Sequence, residues 1–469
     1  MPLSLALSSA HRTRFRPAVA AFGDWLAAHR GVIQAIQWTV VAIYLTLVAV
    51  PAFLPLPPNT AHLWNNLTLA AQFAFWGIWW PFVLLSMVLV GRTWCGVFCP
   101  EGALSEFASR RSLNRAVPRW LTWRGWPFTA FVCTTVYGQM VSVYQYPAPV
   151  LLILGGSTAA AIGVGLVYGR NKRVWCRYLC PVTGVFNLLA RLAPVHFRVD
   201  QNAWAASQHR GDHPAPVTCA PLVPIRTMRG AGECHMCGRC SGFRGAVSLE
   251  LRPPGQEVEQ ATPERANAWD TALILFGLMG VATGAFLWSS SPWYVEAKQA
   301  LATWLVEAGI DWPLTQTAPW FVLTNYPAQN DVLTLLDGAV MLGFIALVAV
   351  VLGGVFSVLL AAGVRLAGSW STSRFHHLAQ SLIPMAGVGV FLGLSANTVT
   401  LLKADGIMVP LLQDLRAGLI AGGAAWSVWL AWRITAKWTS GARQLPPVAA
   451  VALCTVIAAY GWVTLFWIW

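Results

Sequence analysis

The chain has 469 residues, 56% of them hydrophobic and only 10% charged, with a mean hydropathy of +0.56 and a formal net charge of +13. Soluble globular chains carry about a quarter charged residues, so this composition excludes an ordinary soluble domain and a disordered chain, and calls for lipid around much of the surface. The positive excess would suit nucleic acid only if it were gathered into a patch, and its placement along the chain says otherwise.

A basic stretch, 1–31, comes first and carries Arg12, Arg14, Arg16 and Arg30. Its opening apolar run is short and precedes the arginines, so no cleavable leader is expected and the first span serves as an uncleaved start signal. Apolar runs of membrane-spanning length, roughly 17–25 residues, then occur at 32–54, 69–90, 126–143 and 150–168. After a polar insert come 272–288, 333–360, 378–402, 415–432 and 448–469. The expected fold is an all-α polytopic membrane protein with about nine transmembrane helices and a small loop-rich insert. Its segments are the basic N-terminus 1–31, repeated hairpins 32–193, the insert 194–267 and C-terminal helices 268–469. With the N-terminus inside, 28 of the 31 Lys and Arg fall on the inner side, leaving Lys298, Lys403 and Arg416 outside. Even without the long insert the bias is 15 to 3, which orients the chain and accounts for its charge without nucleic acid.

The first half repeats itself. Arg92-Thr93-Trp94-Cys95-x3-Cys99-Pro100 follows one span, and Arg173-Val174-Trp175-Cys176-x3-Cys180-Pro181 follows another. Such duplication predicts two hairpins side by side, delivering the same chemistry to the same membrane face. Cysteines at i and i+4 share one face of a helical turn. Two such pairs make a four-thiolate site, and Arg92 and Arg173 would offset its negative charge. A second [4Fe-4S] cluster, redox-active thiols and inert buried cysteines all remain open for Cys95, Cys99, Cys176 and Cys180.

The insert, rich in Pro, Gly and Arg with little periodic apolar pattern, is expected to be loops around a cofactor without a core of its own. It contains Cys234-x2-Cys237-x2-Cys240, a spacing suited to three corners of an iron–sulfur cubane. Gly230, Gly232 and Gly238 would permit the tight path and leave amides free for cluster sulfides. Arg244 and Gly245 stand where bacterial ferredoxins place a fourth Cys and a Pro. Cys219 is the other thiol of the segment and is assigned as the fourth ligand. Zinc is the alternative, but its sites usually pair two Cys-x2-Cys units or add histidines. The inner face disfavours disulfides. Cys133 and Cys454, alone within spans, are expected to pack.

Beyond the insert, helices rich in Ala, Gly, Val and Leu suit close packing in lipid. The largest outer loop, 289–331, is mildly acidic, and Leu301 to Tyr326 could dip into the interface. No histidine falls in the middle of a span, so no haem is predicted, and all visible ligands lie on one face. His376 and His377 sit at an inner helix end and could line a quinone pocket, though an interfacial role suits them better. Asp337 and Lys403 fall near outer span ends, where water would solvate them.

The paired Cys-x3-Cys-Pro after apolar spans, with a ferredoxin-like cysteine group, resembles the membrane polyferredoxins of the NosR, NapH and CcoG kind over about 32–250. The resemblance implies a [4Fe-4S] electron carrier in a bacterial cytoplasmic (inner) membrane, serving another metalloprotein rather than acting as a stand-alone enzyme. No Ser-Gly-Ala-Thr flavin attachment site is present, and the second cluster motif usual in NapH and CcoG is missing. Phe375-His376-His377 and Phe391-Leu392-Gly393-Leu394-Ser395 are similar to the FtrD branch, which implies ferrous-iron uptake with an iron permease and a periplasmic cupredoxin. Electrons would be exchanged with a cytoplasmic carrier or a quinone. A metal (Cu or Fe) reductase or oxidase-assembly factor, and a zinc-stabilised scaffold, are the alternative functions.

Overall fold

The computed structural model describes residues 9–58, 60–209, 214–228, 230–261, 266–368 and 370–469, with side chains from residue 18 onward. The start of the basic stretch, the side chains of Arg12, Arg14 and Arg16, and Arg210, Arg229 and Arg265 lie outside the described residues. The fold is dominated by helices, with two short antiparallel strand pairs, Val195–Val199 with Val247–Leu251 and Asn325–Tyr326 with Asp331–Val332.

Seven helices among the described residues are long and apolar enough to cross a membrane: Arg30–Phe53, Leu67–Val90, Pro147–Val167, Ala268–Ser290, Leu335–Leu366, Thr372–Ala404 and Gly441–Ile468. Each contains most of an expected span, with ends moved by local capping. Asn66 accepts from the amides of Thr68 and Leu69, and Asn267 from that of Asp270, so two helices begin before their apolar runs. The other two expected spans are helices that miss this measure. Trp126–Met140 has only 15 residues, and Leu412–Thr435 carries Asp414, Arg416 and Arg433.

The chain forms two compact units, 1–44 with 85–123 and 158–257, and 45–84 with 124–157 and 258–469. In the second, the helices pack through small residues. A Cβ on Gly280 would stand 2.9 Å from Ala349 Cα, and one on Gly284 3.1 Å from Ile345 Cα. Glycines four apart thus let Ala268–Ser290 approach Leu335–Leu366 backbone to backbone. Asp337 is no isolated membrane charge. It closes a capping box with Thr334 at the start of Leu335–Leu366 and pairs with Lys298. His376 Nδ1 lies 2.8 Å from Thr271 Oγ1, and His377 Nε2 lies 2.9 Å from the Val258 carbonyl, so both histidines tie neighbouring segments together.

The first unit holds both cysteine phrases and the insert as far as Glu257. Here the structure departs from the expectation of loops without a core. Val195–Val199 (β1) pairs antiparallel with Val247–Leu251 (β2), Phe197 opposite Leu249 and Val199 opposite Val247. Alternate residues point to one side, so Phe197, Val199, Val247 and Leu249 meet Trp204, Val223, Met228 and Met236 in a small buried cluster. Cys234 lies within that cluster, with Cys219 and Cys240 packed against it. The insert thus has a modest apolar floor beneath its thiols.

Candidate iron–sulfur site

The first cysteine phrase is a π-helical turn, Trp94–Phe98, that stops at Cys99. Cys99 turns extended (φ −65°, ψ 116°), and Pro100 opens a new helix, Pro100–Ser109. Proline suits a first helical position because its missing N–H would have no partner there. Cys99 caps that helix through sulfur, its Sγ accepting from the Gly102 amide at 3.4 Å. The second phrase forms a short helix, Val174–Tyr178, then a turn through Cys180 and Pro181 into Thr183–Ala190.

The two copies interlock through their arginines. Arg173 Nη1 donates across to the Cys95 carbonyl at 2.6 Å, and a Cβ on Gly102 would lie 2.9 Å from that nitrogen. Thr183 stands where Gly102 stands in the first copy. Its hydroxyl donates to the Cys176 carbonyl at 2.9 Å while accepting from Arg92 Nη2 at 2.9 Å. Each arginine therefore braces the opposite cysteine turn, once directly and once through a hydroxyl. Charge on Cys95, Cys99 and Cys176 is mutually felt, as it is among Cys99, Cys176 and Cys180, so the four thiols form one group.

Cys219, Cys234, Cys237 and Cys240 form the second group, each electrostatically within reach of others. The loop makes its tight path with Met236 (φ +53°) and Gly238 (φ +74°), where a Cβ would also collide with Leu26 Cβ at 2.4 Å. Cys234 Sγ accepts from the Met236 amide at 3.3 Å. Gly232 departs from expectation. Its amide goes to Glu257 at 3.4 Å, beside that of Ala231 at 2.8 Å, instead of remaining free for a sulfide.

Burial pushes these thiols up: Cys99, Cys180 and Cys234 well above the ordinary range, Cys219 to about 11, and Cys176 and Cys240 to about 12. Reactive redox cysteines show the reverse, a lowered pKa in an electropositive, partly open setting. Backbone amides reach the sulfurs of Cys99 and Cys180 in one group and of Cys219 and Cys234 in the other. Such N–H···S contacts are the donors that tune cluster ligands. Nearby, Arg92 Nε, Arg173 Nη2 and His235 Nδ1 are buried with no partner among the described residues, which suits an anionic group carrying sulfide acceptors. No three His, Cys, Asp or Glu side chains among the described residues converge as a single metal ion needs. A cubane has iron at separate corners and takes thiolates spaced more widely than those around one zinc. In donor chemistry, thiols beside arginines and backbone amides are what an iron–sulfur cluster takes.

Several contributors were not singled out from sequence. His235, 2% exposed, is kept well below the ordinary range by burial and by Arg92, Arg173 and Arg177. Glu106 binds Arg173 and Arg239, and Glu101 accepts from Trp175 Nε1 at 3.2 Å. Gly96 lies against the insert loop, where a Cβ would meet the His235 carbonyl at 2.0 Å. One signal for Gly96 was available. The second copy has Arg177 at this position, which reaches Glu233 at 3.3 Å, so the copies diverge where each meets the insert segment, one by close backbone approach and the other through a long side chain. As for the lone cysteines, Cys454 is buried and Cys133 is exposed.

The profile of the family described as a 4Fe-4S binding domain matches twice, over 72–120 and 153–200. These are the two repeats, with Cys95 and Cys99 in one stretch and Cys176 and Cys180 in the other; the insert cysteines lie outside both. The chain is 24% identical over 239 residues to YccM of Escherichia coli (strain K12), named as an electron transport protein, covering 45% of this chain and 65% of YccM. It is 25% identical over 187 residues to the regulatory protein NosR of Pseudomonas aeruginosa, covering 35% of this chain and 25% of NosR. The chain thus spans under two thirds of the length of each of these relatives. No solved structure matches it.

Proposed function

We propose that this chain is a membrane-bound electron carrier holding two [4Fe-4S] clusters, one on Cys95, Cys99, Cys176 and Cys180 and one on Cys219, Cys234, Cys237 and Cys240. The observation that carries the reading is the interlocked pair of cysteine turns in the two matched repeats, with buried arginines and backbone amides placed for a thiolate-rich anion. When bound, such a cluster takes up and returns one electron at a time. The protein's part is to fix eight sulfurs, bury Cys95, Cys176 and Cys234 while half-burying the others, and offset their charge with Arg92 and Arg173. The unpartnered buried donors of Arg92 and Arg173 and the amides aimed at the sulfurs favour an anionic cluster over free-thiol reduction of a metal.

The Lys and Arg bias supports cysteine groups on the cytoplasmic side of an inner membrane, within reach of a soluble carrier, with a quinone as the partner inside the bilayer. The finer role is support of a metal-handling system, ferrous-iron uptake beside a permease and a periplasmic cupredoxin in first place and metalloenzyme maturation in second. Resemblance of 375–377 and 391–395 supports the first.

The test is anaerobic purification with iron and acid-labile sulfide assay and EPR after reduction. The parent should hold about eight iron atoms per chain, and Cys95→Ser with Cys180→Ser about four, with one EPR signal retained. Colourless protein without sulfide would overturn the reading. A double variant with undiminished iron would remove the repeat cluster from it.

A further inference from the structure

Glu106 occupies the helix that Cys99 caps, and its carboxylate is gripped from two sides. Arg173 Nε donates to Oε2 at 2.8 Å, and Arg239 Nη2 lies 2.6 Å from Oε1. Burial opposes its ionisation, yet the two guanidinium groups hold the carboxyl below its usual range. The arginines come from different cysteine groups. Arg173 precedes Cys176 by three residues, bonds the Cys95 carbonyl and faces Cys176, Cys237 and Cys99. Arg239 sits between Cys237 and Cys240 in the sequence and faces Cys219. Close to this triad, Gly96 brings the backbone beside Cys95 against the loop. A Cβ there would meet Cys237 N at 2.9 Å and Cys237 Cα at 3.0 Å.

The Arg173 side chain is 2% exposed and that of Glu106 12%, so solvent screens their charges little. With Arg239 24% exposed the triad is largely rather than fully buried, and such a triad is a poor source of stability, because desolvation offsets most of its attraction and an apolar replacement of equal volume is often as stable. A triad with one arm in each cysteine group has a different use. Its net charge of one positive unit is shared.

We propose that the Arg173–Glu106–Arg239 triad is a common counter-charge for both cysteine groups, with Glu106 the coupling residue that lets charge at one be felt at the other. The inference rests on the electron-carrier reading above and adds that the two sites share one electrostatic setting. It gives Glu106 a positioning and tuning role without contact to a sulfur.

The test is EPR-monitored potentiometry on the purified full chain with dithionite as reductant. The signals are assigned by the Cys95→Ser, Cys180→Ser background, which retains the insert signal. Removing a negative charge makes reduction easier, so Glu106→Gln should raise both midpoint potentials. Removing a positive charge makes it harder, so Arg173→Gln should lower both. The charge-conserving Glu106→Asp and Arg173→Lys should stay near the parent. A purely structural role would move Glu106→Gln and Arg173→Gln in the same direction, since both loosen the same contact. That outcome overturns the proposal, and so does a shift confined to one signal. If the glutamine variants fail to accumulate, Arg239→Gln is read instead and must lower both potentials; a change at the insert signal alone overturns the inference. Absence of any cluster signal in the parent is a different result and removes the electron-carrier reading itself.

Discussion

Gly96→Ala probes the contact between the first cysteine turn and the insert loop most directly. An added Cβ would stand 2.0 Å from the His235 carbonyl, 2.9 Å from Cys237 N and 3.0 Å from Cys237 Cα, against the 3.4 Å at which ordinary contact begins. All three obstacles belong to the backbone of one ligand-bearing loop, so no rotamer change relieves them and the loop must move. Overpacking of this sort costs about 1–3 kcal/mol. A backbone obstacle at 2.0 Å puts Gly96→Ala in the upper part of that range, about 2–3 kcal/mol, and alanine's better helical propensity returns about 1 kcal/mol, leaving a net cost of about 1–2 kcal/mol, or roughly 5- to 30-fold in the balance between closed and open loop. Limited trypsin digestion of the solubilised protein reads that balance through cleavage within the arginine-rich insert. Gly163→Ala is the control, because a Cβ there meets nothing within 4 Å. Cleavage should speed up about 5- to 30-fold for Gly96→Ala and stay level for Gly163→Ala. Equal rates in the two variants would refute the close approach and with it the reason for a glycine at 96.

Arg252 and Glu257 are nearly buried, with Nη2 and Oε2 2.8 Å apart but off hydrogen-bond alignment, and Glu257 also accepts from the Ala231 amide. Glu257→Gln strands the cation, and a loss of about 3 kcal/mol should appear as faster digestion and poorer iron retention in the insert. Burial and Arg252 push His196 down to about 4, despite Glu257 and Glu250. A depressed pKa contributes stability above the unfolded value of 6.5 that is lost as pH falls through about 4, by up to about 3 kcal/mol. Chemical-denaturation profiles should therefore fall less steeply between pH 6.5 and 4 in His196→Gln than in the parent, and identical slopes would exclude His196 as the cause. Asp337→Asn, which weakens the capping box at Leu335–Leu366 and the pair with Lys298, should cost about 1 kcal/mol in thermal unfolding, with iron content unchanged.

The strand pair carries a period-two signal that is weak on its own. Val195-His196-Phe197-Arg198-Val199 and Val247-Ser248-Leu249-Glu250-Leu251 alternate apolar and polar residues with period two, the pattern of half-buried strands. Both are only five residues long in a segment punctuated by Gly and Pro, and their partner lies some fifty residues away, so neither declares a core alone. Trp126–Met140 and Leu412–Thr435 show the converse. Their apolar runs are plain, yet Pro127 opens one helix, left-handed Leu411 precedes the other, and Asp414, Arg416 and Arg433 lie within it, features that hydropathy does not see.

The helical membrane architecture, the duplicated cysteine turns and the insert triplet are legible in the residues alone, because hydropathy, charge bias and motif spacing are local properties. Tertiary structure alone decided that Arg173 reaches the Cys95 carbonyl, that Thr183 relays Arg92 to Cys176, and that Glu106 joins Arg173 to Arg239. Apart from the short step from Thr183 to Cys176, those contacts span tens to more than a hundred residues of chain. Which carboxylate a guanidinium meets depends on how folded segments pack, and no spacing rule carries that information.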